Sequence, residues 1–156
     1  DKNKIIKFAK NNQCLVLSLH INQYFLNKQI DYYVVSDTKR YSLDQHNYKN
    51  LEKIILPLNI LEKFSYKKNE NLINYNLETK QNTFHVNDKG CILPNELEIG
   101  YAIALCKFGD AKKIYLAGFD GYDNNEELNI KIKNYFKFLS QKTKYKFTFL
   151  GKSLFK

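Results

Sequence analysis

The residues best placed to do chemistry stand between Lys112 and Tyr122, KKIYLAGFDGY, where one carboxylate is set between two glycines. Gly118 and Gly121 let the backbone turn sharply and come close to a ligand. Asp120, between them, can accept the hydroxyls of a ribose or another sugar, or meet a divalent ion. Tyr122 closes the loop. Asp123 lies three residues beyond Asp120; its expected role is to cap the next helix, together with Asn124 and Asn125. The run Ile114, Tyr115, Leu116, Ala117 is too short for a helix and apolar on both faces, so it reads as the central strand of a parallel sheet. Asp120 then sits at that strand's carboxyl end, where open α/β sheets bind ligands.

Three histidines are candidate general bases, because imidazole titrates near neutral pH. His46 and His85 stand alone in the chain. His20 is the strongest of the three, since it falls with Asn22 at the carboxyl end of a strand over Cys14–Leu19; a hydrogen-bonded structural histidine is the competing reading. Asn95 with Glu98 three residues later has the spacing of a capping box at a helix start. Glu96 and Glu98 in that first turn favour the positive end of the helix dipole and would repel a phosphate. No G-x-G-x-x-G, P-loop, G-x-S-x-G or H-E-x-x-H pattern occurs, which removes the motif-based dinucleotide, triphosphate, serine hydrolase and zinc hydrolase readings. Cys14, Cys91 and Cys106 lack the paired spacings of a zinc site and are expected as reduced thiols.

The elements that must position these residues are legible in outline. Residues 1–12 carry Ile5, Ile6, Phe8 and Ala9 at rough helical spacing, and Cys14–Leu19 follows as a buried strand. Tyr32–Val35 is β-branched and aromatic, a second strand with Ser36, Asp37 and Thr38 as its polar tip and Arg40 just beyond. Leu51–Leu56 makes a third, closed by Pro57. Leu58–Phe64 has space for one or two helical turns, and residues 65–82 read as irregular with one edge strand. Leu97, Tyr101, Ala104, Leu105 and Phe108 then recur at helical spacing until Gly109. Leu128, Ile132, Tyr135, Phe136 and Leu139 mark another amphipathic helix, and Tyr145–Leu150 a last strand. Strands alternating with helices across short joints predict a three-layer, Rossmann-like α/β domain with a mostly parallel sheet.

A length of 156 residues, 44% of them hydrophobic, suits one domain with one core. A helix standing before the first visible strand suggests that an opening strand precedes Asp1. No apolar run approaches a membrane span and the start does not resemble an export signal, so a cytoplasmic protein without membrane contact is expected. The net charge of +9 raises nucleic acid as a partner. Arg40 is the only arginine in the chain, however, and base-edge or bidentate phosphate recognition leans on arginine. Abundant Lys, Asn, Ile and Tyr together read instead as a general compositional bias, and nucleic acid is not the expected partner.

Four stretches taken in order, IIKFAKNNQCLVLSLHIN, YYVVSDTKRY, KKIYLAGFDGY and TFLGKSLF, resemble a domain appended to bacterial proteins similar to 4-hydroxy-2-oxovalerate aldolase, which are associated with surface-polysaccharide genes. The resemblance covers most of the chain. It implies that an aldolase barrel and a first strand with its glycine loop lie upstream, and that the divalent metal belongs to that barrel, with no cofactor in this domain. A shorter stretch, YAIALCKFGDAKKIYLAGFDGY, is similar to bacterial CMP-sialic-acid-dependent sialyltransferases. That likeness implies a nucleotide-sugar-like ligand facing Gly118, Asp120 and Tyr122, with Asn22 and Asn95 on neighbouring strand ends. Pro94-Asn95 stands where those enzymes have Ser-Gly, and the chain runs from Asn124 into helix without their histidine segment. The expected function is therefore an accessory domain binding a nucleotide-sugar or sugar-phosphate-like ligand. A sialyltransferase-like enzyme and a docking or homo-oligomerisation module are the alternatives.

Overall fold

A computed structural model describes residues 2–19, 21, 27–43, 45–51, 53–65 and 70–155. These form two compact units, Asp1–Phe108 and Gly109–Lys156. The fold class is α/β, with mostly parallel, Rossmann-like pairing, as the alternation of elements predicts.

In the first unit, α1 (Lys2–Asn11) precedes β1 (Leu17–Ser18), β2 (Tyr32–Val34), α2 (Thr38–Leu43), α3 (Gln45–Tyr48), β3 (Ile54–Leu56), α4 (Leu58–Leu61) and β4 (Leu72–Asn74). The four strands lie in the order β1-β2-β3-β4, all parallel, with Leu17 opposite Tyr32, Tyr33 opposite Ile54 and Ile54 opposite Leu72. Successive side chains of a strand point to opposite faces, and here both faces are buried. Tyr33, Val35, Ile54 and Leu56 pack with Tyr41, Tyr48 and Leu61 of the short helices. Val34 and Ile55 pack the other way, against Tyr101, Ala102 and Ala104 of α5 (Glu98–Phe108). Helices, sheet and helix thus form three layers. Leu56 and Leu61 are fully buried, each worth about 2–3 kcal/mol over exposure.

The stretch expected to be irregular holds two strands rather than one. β4 adds to β3, the chain steps sideways at Tyr75, and β5 (Asn76–Thr79) continues in a second sheet. There β5 pairs parallel with β7 (Gly90–Leu93), which pairs antiparallel with β6 (His85–Val86). The step is held by the Tyr75 N–H donating to the Leu56 carbonyl at 3.2 Å and the Asn76 N–H donating to the Lys89 carbonyl at 3.2 Å. Asn59 mimics a further strand beside β5: its Nδ2 donates to the Leu77 carbonyl at 2.9 Å and its Oδ1 accepts the Leu77 N–H at 3.1 Å. A polar, lysine-rich sequence hides strands whose burial is carried by only two side chains, Tyr75 and Leu77.

Two helix features differ from the spacing argument. In α5, Ile99 to Ala104 are all buried, so its first turns are covered on every side rather than along one stripe, and Phe108 is left exposed. The left-handed residue after its end is Asp110, at φ 53°, not Gly109.

In the second unit, β8 (Ile114–Ala117), α6 (Glu126–Thr143) and β9 (Phe147–Leu150) form a parallel βαβ unit, with Ile114 opposite Phe147 and Ala117 opposite Leu150. β8 belongs to this two-stranded sheet, so the central place expected for it is not observed; β2 and β3 are the inner strands of the largest sheet. Phe136 anchors the unit, meeting Phe119, Phe147 and Phe149 edge-on at 5.5–5.8 Å and Phe155 at 5.8 Å. The cap of α6 is Asn125, whose Oδ1 accepts the Leu128 N–H at 2.9 Å; Asp123, expected to cap, lies outside the helix start. Among the described residues no helix is long and apolar enough to cross a membrane.

Candidate functional site

The Gly118–Tyr122 loop follows β8 at its carboxyl end, as expected. Gly118 and Gly121 have φ of 78° and 119°, backbone that side chains disfavour. A Cβ on Gly118 would meet nothing within 4 Å, whereas one on Gly121 would lie 2.5 Å from Leu154 Cδ1. The chain after β9 ties down this loop: Ser153 Oγ donates to the Phe119 carbonyl at 2.6 Å and the Leu154 N–H donates to the Asp120 carbonyl at 3.2 Å. Asn129 of α6 brackets Tyr122, accepting its N–H on Oδ1 at 2.8 Å and donating from Nδ2 to its carbonyl at 2.9 Å. The Asp120 and Tyr122 side chains remain exposed. The loop is a braced turn that presents one carboxylate and one phenol.

A second constellation lies at the carboxyl end of β2 in the first unit. The strand ends at Val34 and the chain continues through Ser36 and Thr38, both buried. Ser36 Oγ donates to the Glu96 carbonyl at 2.6 Å, across sixty positions of sequence. That bond holds the lead-in to α5 against the strand end. Asn95 Oδ1 accepts the Leu97 N–H at 3.1 Å, so Asn95 does turn the chain into the helix, which begins at Glu98. Asp37 caps α2, its Oδ1 accepting the Arg40 N–H at 2.9 Å.

These contacts gather Asp37, Arg40 and Glu98. Burial pushes the Glu98 carboxyl up to about 7; the Asp37 charge pushes the same way and the Arg40 guanidinium pulls it down. A carboxyl poised near neutrality can donate or accept a proton, or can accept hydroxyls once ionised. Asn95 therefore stands beside a charged group that the sequence left unassembled. The available signals were the polar tip after a parallel strand and the single arginine just past it; the pairing of residue 36 with residue 96 had none.

His20 and Asn22 lie outside the described residues. His46 is exposed on α3 and His85 exposed on β6. The three cysteines are free thiols. Burial raises Cys91 to about 12 and Cys106 to about 11, so neither is a thiolate nucleophile at neutral pH. Among the described residues no three His, Cys, Asp or Glu side chains gather as a metal ion would require. No protein-family model, curated protein or solved structure matches the chain.

Proposed function

We propose that this chain is a cytoplasmic ligand-binding domain that takes a nucleotide-sugar or sugar-phosphate-like molecule at its strand ends, as the accessory part of an aldolase-like protein in surface-carbohydrate biosynthesis. The observation that carries the reading is the gathering of Asp37, Arg40 and Glu98 beyond the carboxyl end of an inner parallel strand, the edge where open α/β sheets bind ligands. Any carbon–carbon bond cleavage belongs to the barrel that the resemblance places upstream. A thermal-shift screen against CMP, UDP, CDP and their sugar conjugates tests the reading. A ligand at a hundred times its Kd adds about 2.7 kcal/mol, which raises Tm by roughly 5–10 °C at this length. A flat response across the panel overturns it.

One observation favours a second reading, a docking module. The backbone of the Gly118–Tyr122 loop is bound by Ser153, Leu154 and Asn129 of its own unit, as a purely structural turn would be. In that case Asp120→Ala changes neither ligand binding nor, beyond about 0.5 kcal/mol, stability.

A further inference from the structure

The nucleotide reading extends to the atoms of its ligand. Resting on that reading, we propose that Asp37 and Glu98 recognise the ribose of the bound nucleotide, accepting its 2′- and 3′-hydroxyls, with Arg40 as the positioning residue that balances their charge.

Three observations converge on this assignment. Asp37 lies just past the second of two adjacent parallel strands, the place where an open dinucleotide-type sheet carries the acid that takes a ribose hydroxyl. Its Oδ1 accepts the Arg40 N–H, which holds the carboxylate against the start of α2 while the residue stays exposed. Glu98 arrives from a different element, α5, and the buried Ser36 hydroxyl fixes the approach of that element through the Glu96 carbonyl. Two carboxyl groups from separate elements, near enough for the charge of one to act on the other, match a pair of hydroxyl donors.

The charges select against the other ligand groups. Two carboxylates against one guanidinium leave a negative balance that repels a phosphate, so the phosphates of the ligand lie elsewhere. The guanidinium in turn opposes a metal cation. A neutral diol suffers neither objection, and hydrogen bonds to ionised acceptors are the strong kind. The groups acting on Glu98 are Asp37, which raises it, and Arg40, which lowers it. With its carboxyl titrating at about 7, Glu98 is ionised in roughly one molecule in ten at pH 6 and nine in ten at pH 8. Ribose recognition through Glu98 therefore strengthens by up to about tenfold across that interval.

The test compares equilibrium affinities of CMP, UMP, AMP and GMP with their 2′-deoxy counterparts at pH 6 and pH 8. Taking the ratio of each pair cancels titration of the phosphate. The native chain is expected to prefer the ribonucleotide by roughly ten- to a hundredfold at pH 8, and by less at pH 6. Glu98→Gln is expected to make the ratio small and independent of pH. Asp37→Asn, which keeps a good helix cap and so keeps the fold, is expected to lower it at both pH values. Equal binding of ribo and deoxy forms, or a ratio unchanged in both variants, overturns ribose recognition here while leaving nucleotide binding intact. Failure of all four ribonucleotides to bind overturns both.

Discussion

The hydroxyl of Ser36 donates to the backbone carbonyl of Glu96 at 2.6 Å, joining the tip of an inner strand to the lead-in of the most buried helix. Ser36 has no exposed surface, so Ser36→Ala strands a carbonyl acceptor in a region closed to water. The expected loss is about 1–2 kcal/mol, a fall in Tm of roughly 2–8 °C. Urea unfolding at pH 7 checks it. A change under about 0.3 kcal/mol would mean that packing alone holds the segment.

Glu98 links this corner to pH. Its folded-state value of about 7 lies above the ordinary 4.5, so the folded chain holds a proton that the unfolded chain releases. The contribution to stability is complete below about 4.5, declines as pH rises, and is lost above about 7. The shift corresponds to about 3 kcal/mol before screening, and the part of the carboxyl still open to solvent reduces this to about 1–2 kcal/mol. Glu98→Gln should therefore melt with the native chain at pH 4.5 and several degrees above it at pH 8. Parallel melting curves for the two proteins over that range would show that Glu98 is not held protonated.

The two loop glycines should separate. Gly121 combines a φ of 119° with a blocked Cβ position, while Gly118 has a φ of 78° and open space. Gly121→Ala is expected to cost about 2–3 kcal/mol and Gly118→Ala about 1 kcal/mol. Leu154, exposed and flexible, can swing away, so the backbone carries most of the Gly121 effect. Measured denaturation midpoints in the reverse order would contradict this account.

The cap of α6 offers a further comparison. Asn125→Ala removes the acceptor for the Leu128 N–H and should cost about 1 kcal/mol. Asp123→Ala, outside the helix start, should stay within about 0.5 kcal/mol. Equal losses in chemical unfolding would return the capping role to Asp123.

The sequence by itself determined the α/β class, the strands at 32–34, 54–56, 114–117 and 147–150, the helices at 98–108 and 126–143, and the turn at Gly118 to Tyr122. These elements are specified by local chemistry: short β-branched or aromatic runs, helical spacing of apolar residues, and glycines where φ is positive. Only the tertiary structure decided that β2 and β3 are the inner strands and that β8 pairs with β9, because strand order follows from long-range packing that no local pattern encodes. The two strands within residues 72–79 escaped notice for the same reason, since side-chain bridges such as Asn59 to Leu77 complete their pairing. The candidate site divides likewise. Asp120 could be singled out from the glycines beside it, and Asn95 from its distance to Glu98. The group formed by Asp37, Arg40 and Glu98 exists because one buried hydroxyl binds a carbonyl sixty residues away, and such a contact becomes visible only when the chain is folded.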